Sequence, residues 1–271
     1  MSLELAWLSG PQLDSFARVG TSFGQVIAVE HRVSAGWHVY WRNPGDSGLA
    51  TTLELERGDG GHLHVGPTLY PAPERLPDPG GGESFGWEGG MVLFVPLPGP
   101  RSTEGEIVVR SRWLACRARC IPGTSEARIK RQDPALEPSQ TRVDEGRLKR
   151  DLGRLPKPGG SRIQAHWRLA EPVGSQLQAH PRGVELELEL DAGGGRLDAF
   201  FPYDRDRAVF EGSSPGTPER LMRLRYRFVP GEYHSEDGPQ GILRWSWAGE
   251  VTWFELAATW PSVLPKPGQY E

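Results

Sequence analysis

The chain has 271 residues, enough for one large domain or two domains of ordinary size. Its formal net charge of −4 argues against nucleic acid or an anionic membrane as the main partner. The 35 glycines and 25 prolines, together with ten tryptophans and nine phenylalanines, indicate a loop-rich β protein with aromatic cores and argue against a disordered chain.

The first half of the chain consists of short stretches rich in β-branched and aromatic residues, separated by turn residues. Apolar and polar residues alternate at 51–56, which is the period of a half-buried strand. We expect a turn at 42–48 and a long Pro/Gly-rich interruption of the strands from 71 to 90. Short strands with turn signals between them predict a β-sandwich. The predicted strands are residues 25–33, 37–41, 51–56, 91–97, 105–115 and 126–130.

The composition changes between residues 132 and 160. Leu148, Leu152 and Leu155 have the i, i+4, i+7 spacing of a short amphipathic helix, and the Pro/Gly segment at 156–160 ends it. Strand patterns then return and end in a segment that we expect to form two strands around a turn at Ala248 and Gly249. The predicted strand segments of this half are residues 163–169, 184–190, 197–202, 222–228 and 242–256.

We therefore predict an all-β protein with a first domain at residues 1–132, a linker containing a short helix at 133–160, and a second β-sandwich domain at 161–271. No apolar run approaches the roughly 20 residues that a transmembrane helix needs. The first residues lack the basic and apolar regions of a signal peptide. We expect a soluble piece of a longer, membrane-attached protein.

Cys116 and Cys120 are the two cysteines of the chain, and three residues separate them. A disulfide that closes so small a loop removes little chain entropy from the unfolded state, because loop-closure entropy grows with the logarithm of loop length. A structural bridge would gain more by joining distant strands. The spacing favours a redox-active pair, and a small structural disulfide or two reduced surface thiols remain open as alternatives.

Arg117 and Arg119 lie between the two cysteines. Their positive charge would favour a thiolate if the side chains approach the sulfur atoms. If the chain alternates as in a strand, they point to solvent instead. Two cysteines are too few for a structural zinc site unless histidines join them.

Other residues carry weaker hypotheses. His62 and His64 can bind a metal from one face of a strand, but in a Gly-rich loop they are more often surface residues without a ligand. Asp46 and Glu88 are candidate proton carriers that the sequence does not place beside the cysteines. Four tryptophans can form either a sugar-binding platform or, more commonly, sandwich core: Trp245, Trp247, Trp253 and Trp260.

Motifs of several enzyme classes are missing from the sequence. It has no phosphate-binding loop after a strand, no nucleophile elbow and no helical His-Glu-x-x-His. Hydrolase, kinase and dehydrogenase functions therefore have no support.

Three segments, in this order, resemble the N-terminal periplasmic domain of the DsbD/ScsB family of thiol:disulfide interchange proteins. They are GWHVYWRNPGDSG at 36–48, PAPERL at 71–76 followed by FGWEG at 85–89, and WLACRARCIPG at 113–123. The resemblance covers residues 10–132. Three residues between the cysteines fit the ScsB-like branch, and the second half resembles the extra β domain of its members.

The resemblance implies an immunoglobulin-like β-sandwich that displays a redox cysteine pair and needs no cofactor. It also implies a periplasmic location within an inner-membrane protein. A thioredoxin-like domain would be the electron donor, and periplasmic thioredoxin-fold disulfide proteins would be the acceptors. By motif, Cys120 forms the mixed disulfide with the partner and Cys116 resolves it.

The loop from Pro77 to Phe85 corresponds by resemblance to a cap that shields the cysteines. Shielding is useful because a reduced thiol in an oxidising compartment is otherwise lost to oxidants. His38 stands where the family often has tyrosine, and the Gly-rich stretch in the loop departs from a compact aromatic cap. The residues expected to line or cap the site are His38, Tyr40, Asp78, Phe85, Arg117 and Arg119.

We thus predict a thiol–disulfide exchange domain that acts as a protein-disulfide reductase. One alternative is a non-catalytic binding or adhesion module of two β-sandwiches in which the cysteines form a local staple. Another is a metal-handling chaperone that uses the cysteines with His38, or with His62 and His64.

Overall fold

Alternating and aromatic-rich segments form strands in both halves of the chain. The computed structural model describes residues 1–8, 25–77, 82–97, 105–130, 143–159, 163–169, 184–192, 194–203, 209–214, 221–228 and 238–259. The chain divides into two compact units, Met1–Pro156 and Lys157–Glu271.

The first unit contains nine strands and one helix among its described residues. Two sheets share the strands: one has the order β1-β2-β7, and the other has the order β4-β8-β3-β6-β5 with β9 added to β8. The elements are β1 (Ser2–Leu8), β2 (Gln25–Arg32), β3 (His38–Gly45), β4 (Thr52–Arg57), β5 (Glu74–Pro77), β6 (Glu83–Glu88), β7 (Gly90–Leu97), β8 (Glu106–Cys116), β9 (Cys120–Lys130) and α1 (Glu145–Gly153).

A hydrophobic core joins the two sheets of the first unit. Ile27 and Val95 from the smaller sheet pack with Ile107 and Val109 of β8 in one buried cluster. Burial of these side chains stabilises the fold by roughly 25 cal/mol per Å² of apolar surface removed from water. The first unit is therefore a β-sandwich, and β8 is anchored in its core.

The helix α1 packs on the other face of the smaller sheet. Leu148 and Leu155 lie in a buried cluster with residues of β1, β2 and β7, as their spacing predicts. The buried Asp151 carboxylate accepts a hydrogen bond from the Val92 N–H at 2.8 Å, and burial raises the pKa of this carboxyl. The helix that the sequence assigned to the linker is thus part of the first compact unit, while the division at residues 132 and 160 stays a prediction.

Two expectations about the first unit are wrong. The segment 71–90 does not interrupt the strands throughout, because it contains β5 and β6, which pair with each other. The expected turn at 42–48 begins later, since β3 continues to Gly45, whose N–H binds the Asn43 side chain at 3.1 Å. The pairing of β3 and β6 shifts register between Tyr40 and Gly45, so an irregular strand takes the place of a simple turn.

The second unit is another β-sandwich. Its sheets have the strand orders β10-β17-β16-β13 and β11-β12-β15-β14, and one core cluster contains residues from both sheets, including Leu188, Phe200 and Leu243. The prediction of an all-β chain with two sandwiches is confirmed. The strands are β10 (Lys157–Pro158), β11 (Gln164–Leu169), β12 (Val184–Asp191), β13 (Arg196–Pro202), β14 (Val209–Ser214), β15 (Leu221–Phe228), β16 (Gln240–Trp247) and β17 (Glu250–Ala257).

The tryptophans of the second unit do not share one environment. Trp245 and Trp253 are buried, as the core interpretation predicts, with Trp245 in the main cluster. Trp247 is 53% exposed and lies parallel to the Trp245 ring at a centroid distance of 6.5 Å. Trp260 lies outside the described residues.

Candidate active site

The cysteine pair lies at the end of the β8–β9 hairpin. Cys116 ends β8, Cys120 begins β9, and the two are direct register partners. They form a disulfide with a Cα–Cα distance of 4.1 Å. The Arg117 N–H donates to the Arg119 carbonyl at 3.1 Å and closes the turn between them. The cysteine pair is therefore held by a regular antiparallel ladder.

The two cysteines differ in their exposure. Only 2% of Cys116 is accessible, whereas Cys120 is exposed. Cys116 is buried because it packs with Tyr40 and Leu114 in a small cluster. A protein partner that approaches this end of the hairpin meets Cys120 first.

His38 and Tyr40 lie on β3 beside the disulfide. The His38 Nε2 and the Tyr40 hydroxyl are 3.3 Å apart, and their rings meet edge to face at 5.2 Å. Gly48 lies against the Tyr40 ring so closely that a Cβ there would be 2.4 Å from Cε1. The structure thus places both predicted lining residues beside the cysteine pair. Gly48 leaves the space that the Tyr40 ring occupies, because it has no side chain.

Strand register adds a carboxylate to this group. His38 is paired with Cys116 on one side and with Glu88 on the other. Register partners share one face of a sheet, so Glu88, His38, Cys116 and Cys120 form a row across β6, β3, β8 and β9. We call this row the cysteine row. The sequence suggests Glu88 as a candidate proton carrier but does not place it beside the cysteines. The strand register places it in the cysteine row.

The two arginines of the turn are exposed. The Arg117 side chain lies over Gly36, with its Nε 3.4 Å from the position that a Cβ of Gly36 would occupy. Arg119 takes part in the turn through its carbonyl. Both cations are thus available at the surface beside the cysteine pair.

The predicted cap is described only at its ends. Pro77 ends β5 and Phe85 lies in β6, while Asp78 lies outside the described residues. Phe85 is buried, and by strand alternation it faces away from the side of β6 that carries Glu88. The register therefore does not bring Phe85 to the cysteine row.

The remaining candidates lie elsewhere. Asp46 exchanges two hydrogen bonds of 2.8 Å with the backbone of Glu83 and so fixes the start of β6. His62 and His64 are exposed on either side of the buried Leu63. Within the described part of the chain, no three His, Cys, Asp or Glu side chains are arranged to hold a metal ion.

Two apolar side chains near the site are exposed, which the sequence did not predict. Ile121 follows Cys120 directly and is 39% exposed, and Leu49 follows the glycine that packs on Tyr40 and is 60% exposed. Both side chains add apolar surface near this end of the hairpin, and by strand alternation Ile121 lies on the face of β9 opposite Cys120.

Sequence comparison now assigns the first unit. Residues 12–130 match the family model described as thiol:disulfide interchange protein DsbD, N-terminal. The predicted resemblance of this region to the DsbD N-terminal family is confirmed. The match and the Cys116–Cys120 disulfide support a thiol–disulfide exchange domain. No curated protein sequence matches the chain.

A solved structure extends the comparison beyond the DsbD N-terminal domain. The N-terminal periplasmic domain of ScsB from Proteus mirabilis superposes with a TM-score of 0.56 at 15% identity, covering 95% of this chain and 99% of that one. The similarity shows a shared fold, and the predicted immunoglobulin-like sandwich class is confirmed. A viral chemokine-binding protein of a rodent gammaherpesvirus, at 10% identity over 96% of this chain and 98% of that one, has a TM-score of only 0.16, too low to indicate a shared fold.

Among the residues that the structure describes, no helix has the length and apolar character needed to cross a bilayer.

Proposed function

We propose that this domain relays electrons between protein partners in the periplasm as a protein-disulfide reductase. A thioredoxin-like domain reduces the Cys116–Cys120 disulfide, and the resulting dithiol reduces periplasmic thioredoxin-fold proteins that carry a disulfide. The solved ScsB domain is periplasmic by its description, which supports the same location for this chain. We also propose that the domain belongs to a larger inner-membrane protein.

The observation that carries the proposal is the unequal exposure of the two sulfur positions. Thiol–disulfide exchange begins with the attack of one thiolate on a partner's sulfur, and access decides which thiol attacks. Cys120 is exposed, and Cys116 is 2% accessible behind Tyr40 and Leu114. Cys120 is therefore the exchanging cysteine and Cys116 the resolving one.

The exchange proceeds in two balanced steps. The Cys120 thiolate attacks the partner disulfide, so that one partner sulfur leaves as a thiolate and a Cys120–partner disulfide forms. The Cys116 sulfur, after losing its proton, attacks the Cys120 sulfur and displaces the second partner thiolate. The partner gains two electrons, the domain is oxidised to the Cys116–Cys120 disulfide, and both partner thiolates take up protons.

The hairpin suits this cycle because the two cysteines are register partners at the turn end of a long ladder. Eleven residue pairs join β8 to β9, and β8 also pairs with β4 and contributes to the core. The sulfur atoms can separate and rejoin at the hairpin end while the rest of the ladder stays paired.

Equilibration with reduced and oxidised dithiothreitol under native conditions tests the proposal. Free thiols are alkylated and counted by mass spectrometry after approach from both the oxidised and the reduced side. We expect one reversible two-electron curve and electron transfer to a thioredoxin-fold disulfide protein. A Cys116→Ala/Cys120→Ala variant, folded by circular dichroism, should transfer none. A bridge that resists reduction in the folded protein would support a local staple instead.

A further inference from the structure

The cysteine row places an imidazole and a carboxylate in line with the buried sulfur. His38 is the register partner of Cys116, and Glu88 is the register partner of His38. Directly opposed residues of antiparallel strands have Cβ atoms about 4.5–5.5 Å apart. A ring nitrogen of His38 can therefore approach the Cys116 sulfur, and the Glu88 carboxylate can approach the ring from the far side.

The chemistry of the resolving step requires a proton acceptor at this place. Only a thiolate attacks a disulfide, and a thiol among apolar groups is held in its neutral form. Cys116 packs against Tyr40 and Leu114 and is almost inaccessible to water. Its proton therefore needs a protein group to receive it.

We propose that His38 accepts the proton of the Cys116 thiol during resolution of the mixed disulfide, and that Glu88 stabilises the imidazolium that forms. This inference rests on the proposed exchange function and adds a catalytic residue and a positioning residue to it. His38 acts on the reacting atom itself, while Glu88 acts through His38.

The proton and electron balance of the step is complete. The S–H bond of Cys116 breaks and its proton moves to His38; the Cys116 sulfur then bonds to the Cys120 sulfur. The bond between Cys120 and the partner sulfur breaks, and the partner leaves as a thiolate with the electron pair. The imidazolium returns its proton to that thiolate or to water. When electrons enter from a donor, the same groups act in reverse, and the imidazolium protonates Cys116 as it leaves.

The surroundings of His38 are compatible with a charge change on the ring. The half-buried imidazole contacts the Tyr40 hydroxyl, which can donate to a neutral ring nitrogen or accept from a protonated one. The exposed Glu88 favours the charged ring, and arginines in the neighbouring turn oppose it. The register places these charged and titratable side chains nearest to His38 on its own face of the sheet or in the adjoining turn: Tyr40 on β3, Glu74 on β5, Glu88 on β6, Cys116 on β8, Cys120 on β9, and Arg117 and Arg119 in the turn.

A two-phase thiol assay separates this inference from the proposed function. Reduced protein is mixed in a stopped-flow instrument with one equivalent of an aromatic disulfide that releases a coloured nitrothiobenzoate anion. The first release reports the attack by Cys120, and the second reports resolution by Cys116. Both rate constants are measured across a pH series for the wild type and the variants His38→Gln, His38→Tyr and Glu88→Gln.

We expect His38→Gln to leave the first phase unchanged and to slow the second by about tenfold or more near neutral pH, a modest value for a lost general base. The difference in second-phase rate between wild type and variant should shrink as the pH rises beyond ~9 and approaches the range in which a thiol held neutral by burial ionises without help. Glu88→Gln should slow the second phase less and move its pH profile to lower pH, since the imidazolium loses its counter-charge. His38→Tyr keeps a ring at the site and should slow the second phase as His38→Gln does.

Matched controls remove a histidine and a glutamate from exposed strand positions of the second unit. His166→Gln and Glu250→Gln should leave both phases unchanged. A second phase that is unaffected in the folded His38 variants, or slowed equally at every pH, would overturn the inference. A wild-type first phase that does not come from Cys120 would overturn the proposed function instead.

Discussion

Reduction of the Cys116–Cys120 disulfide should lower the stability of the β8–β9 region by about 2 kcal/mol while the first unit stays folded. The bridge spans a sequence separation of four, and the loop-entropy relation gives about 2 kcal/mol for so short a loop. The ladder of eleven pairs and the buried Ile107 and Val109 do not depend on the bridge. A redox switch needs this small effect, because both states must remain folded.

Native-state hydrogen exchange measures the effect region by region, which matters because two units need not unfold together. In the oxidised and reduced protein, amides of residues 105–130 should differ in exchange rate by about 30-fold, since each 1.4 kcal/mol corresponds to a factor of ten. Amides of the second unit serve as the internal control and should not change. Global loss of protection in the first unit on reduction would refute the reasoning and make the disulfide a structural staple.

Two further predictions concern the scaffold. His31 is fully buried and contacts the Ser111 hydroxyl at 2.8 Å, and burial lowers its pKa to about 3. Below pH ~6.5 this histidine binds a proton in the unfolded chain but not in the folded one. The free energy of unfolding therefore decreases as the pH falls below ~6.5, by about 2 kcal/mol between pH 8 and pH 5. Urea titrations should show His31→Gln losing about 2 kcal/mol less over this range than wild type; equal losses would contradict the assignment. Gly48→Ala should lower the free energy of unfolding by about 2 kcal/mol more than Gly60→Ala, because a Cβ at Gly48 meets the Tyr40 ring. Gly60 is the matched control, since it also has a positive φ but has nothing within 4 Å of its Cβ position. Equal losses of stability in urea unfolding would show that the ring moves aside without cost.

Local patterns in the sequence predicted most of the strands and the helix. The alternation at 184–190 and the leucines at 148, 152 and 155 report directly which face of an element is buried, and both elements were found as expected. The prediction for residues 71–90 was wrong because prolines and glycines do not always break a sheet. There, β5 is a short strand at the end of the strand order, and the one glycine of β6, Gly86, allows β3 to approach closely, because a Cβ on it would collide with the Val39 carbonyl.

The functional site was predicted in part, and the limit was strand register. The spacing of Cys116 and Cys120 is local, so their pairing across one hairpin was accessible from the sequence. His38 and Glu88 come to the cysteines from strands that are distant in the chain, and their alignment depends on how β3 inserts between β6 and β8. No local pattern encodes a pairing between non-consecutive strands.

Mixed-disulfide capture by two single variants tests the central claim, that Cys120 exchanges with protein partners and Cys116 resolves. Reduced Cys116→Ala and reduced Cys120→Ala are each mixed with the same oxidised thioredoxin-fold protein, and covalent complexes are identified by intact mass and by sequencing the linked peptides. The account predicts a stable complex through Cys120 in Cys116→Ala and none in Cys120→Ala, because the remaining Cys116 is buried. Capture by Cys120→Ala through Cys116, or by neither variant, would contradict it.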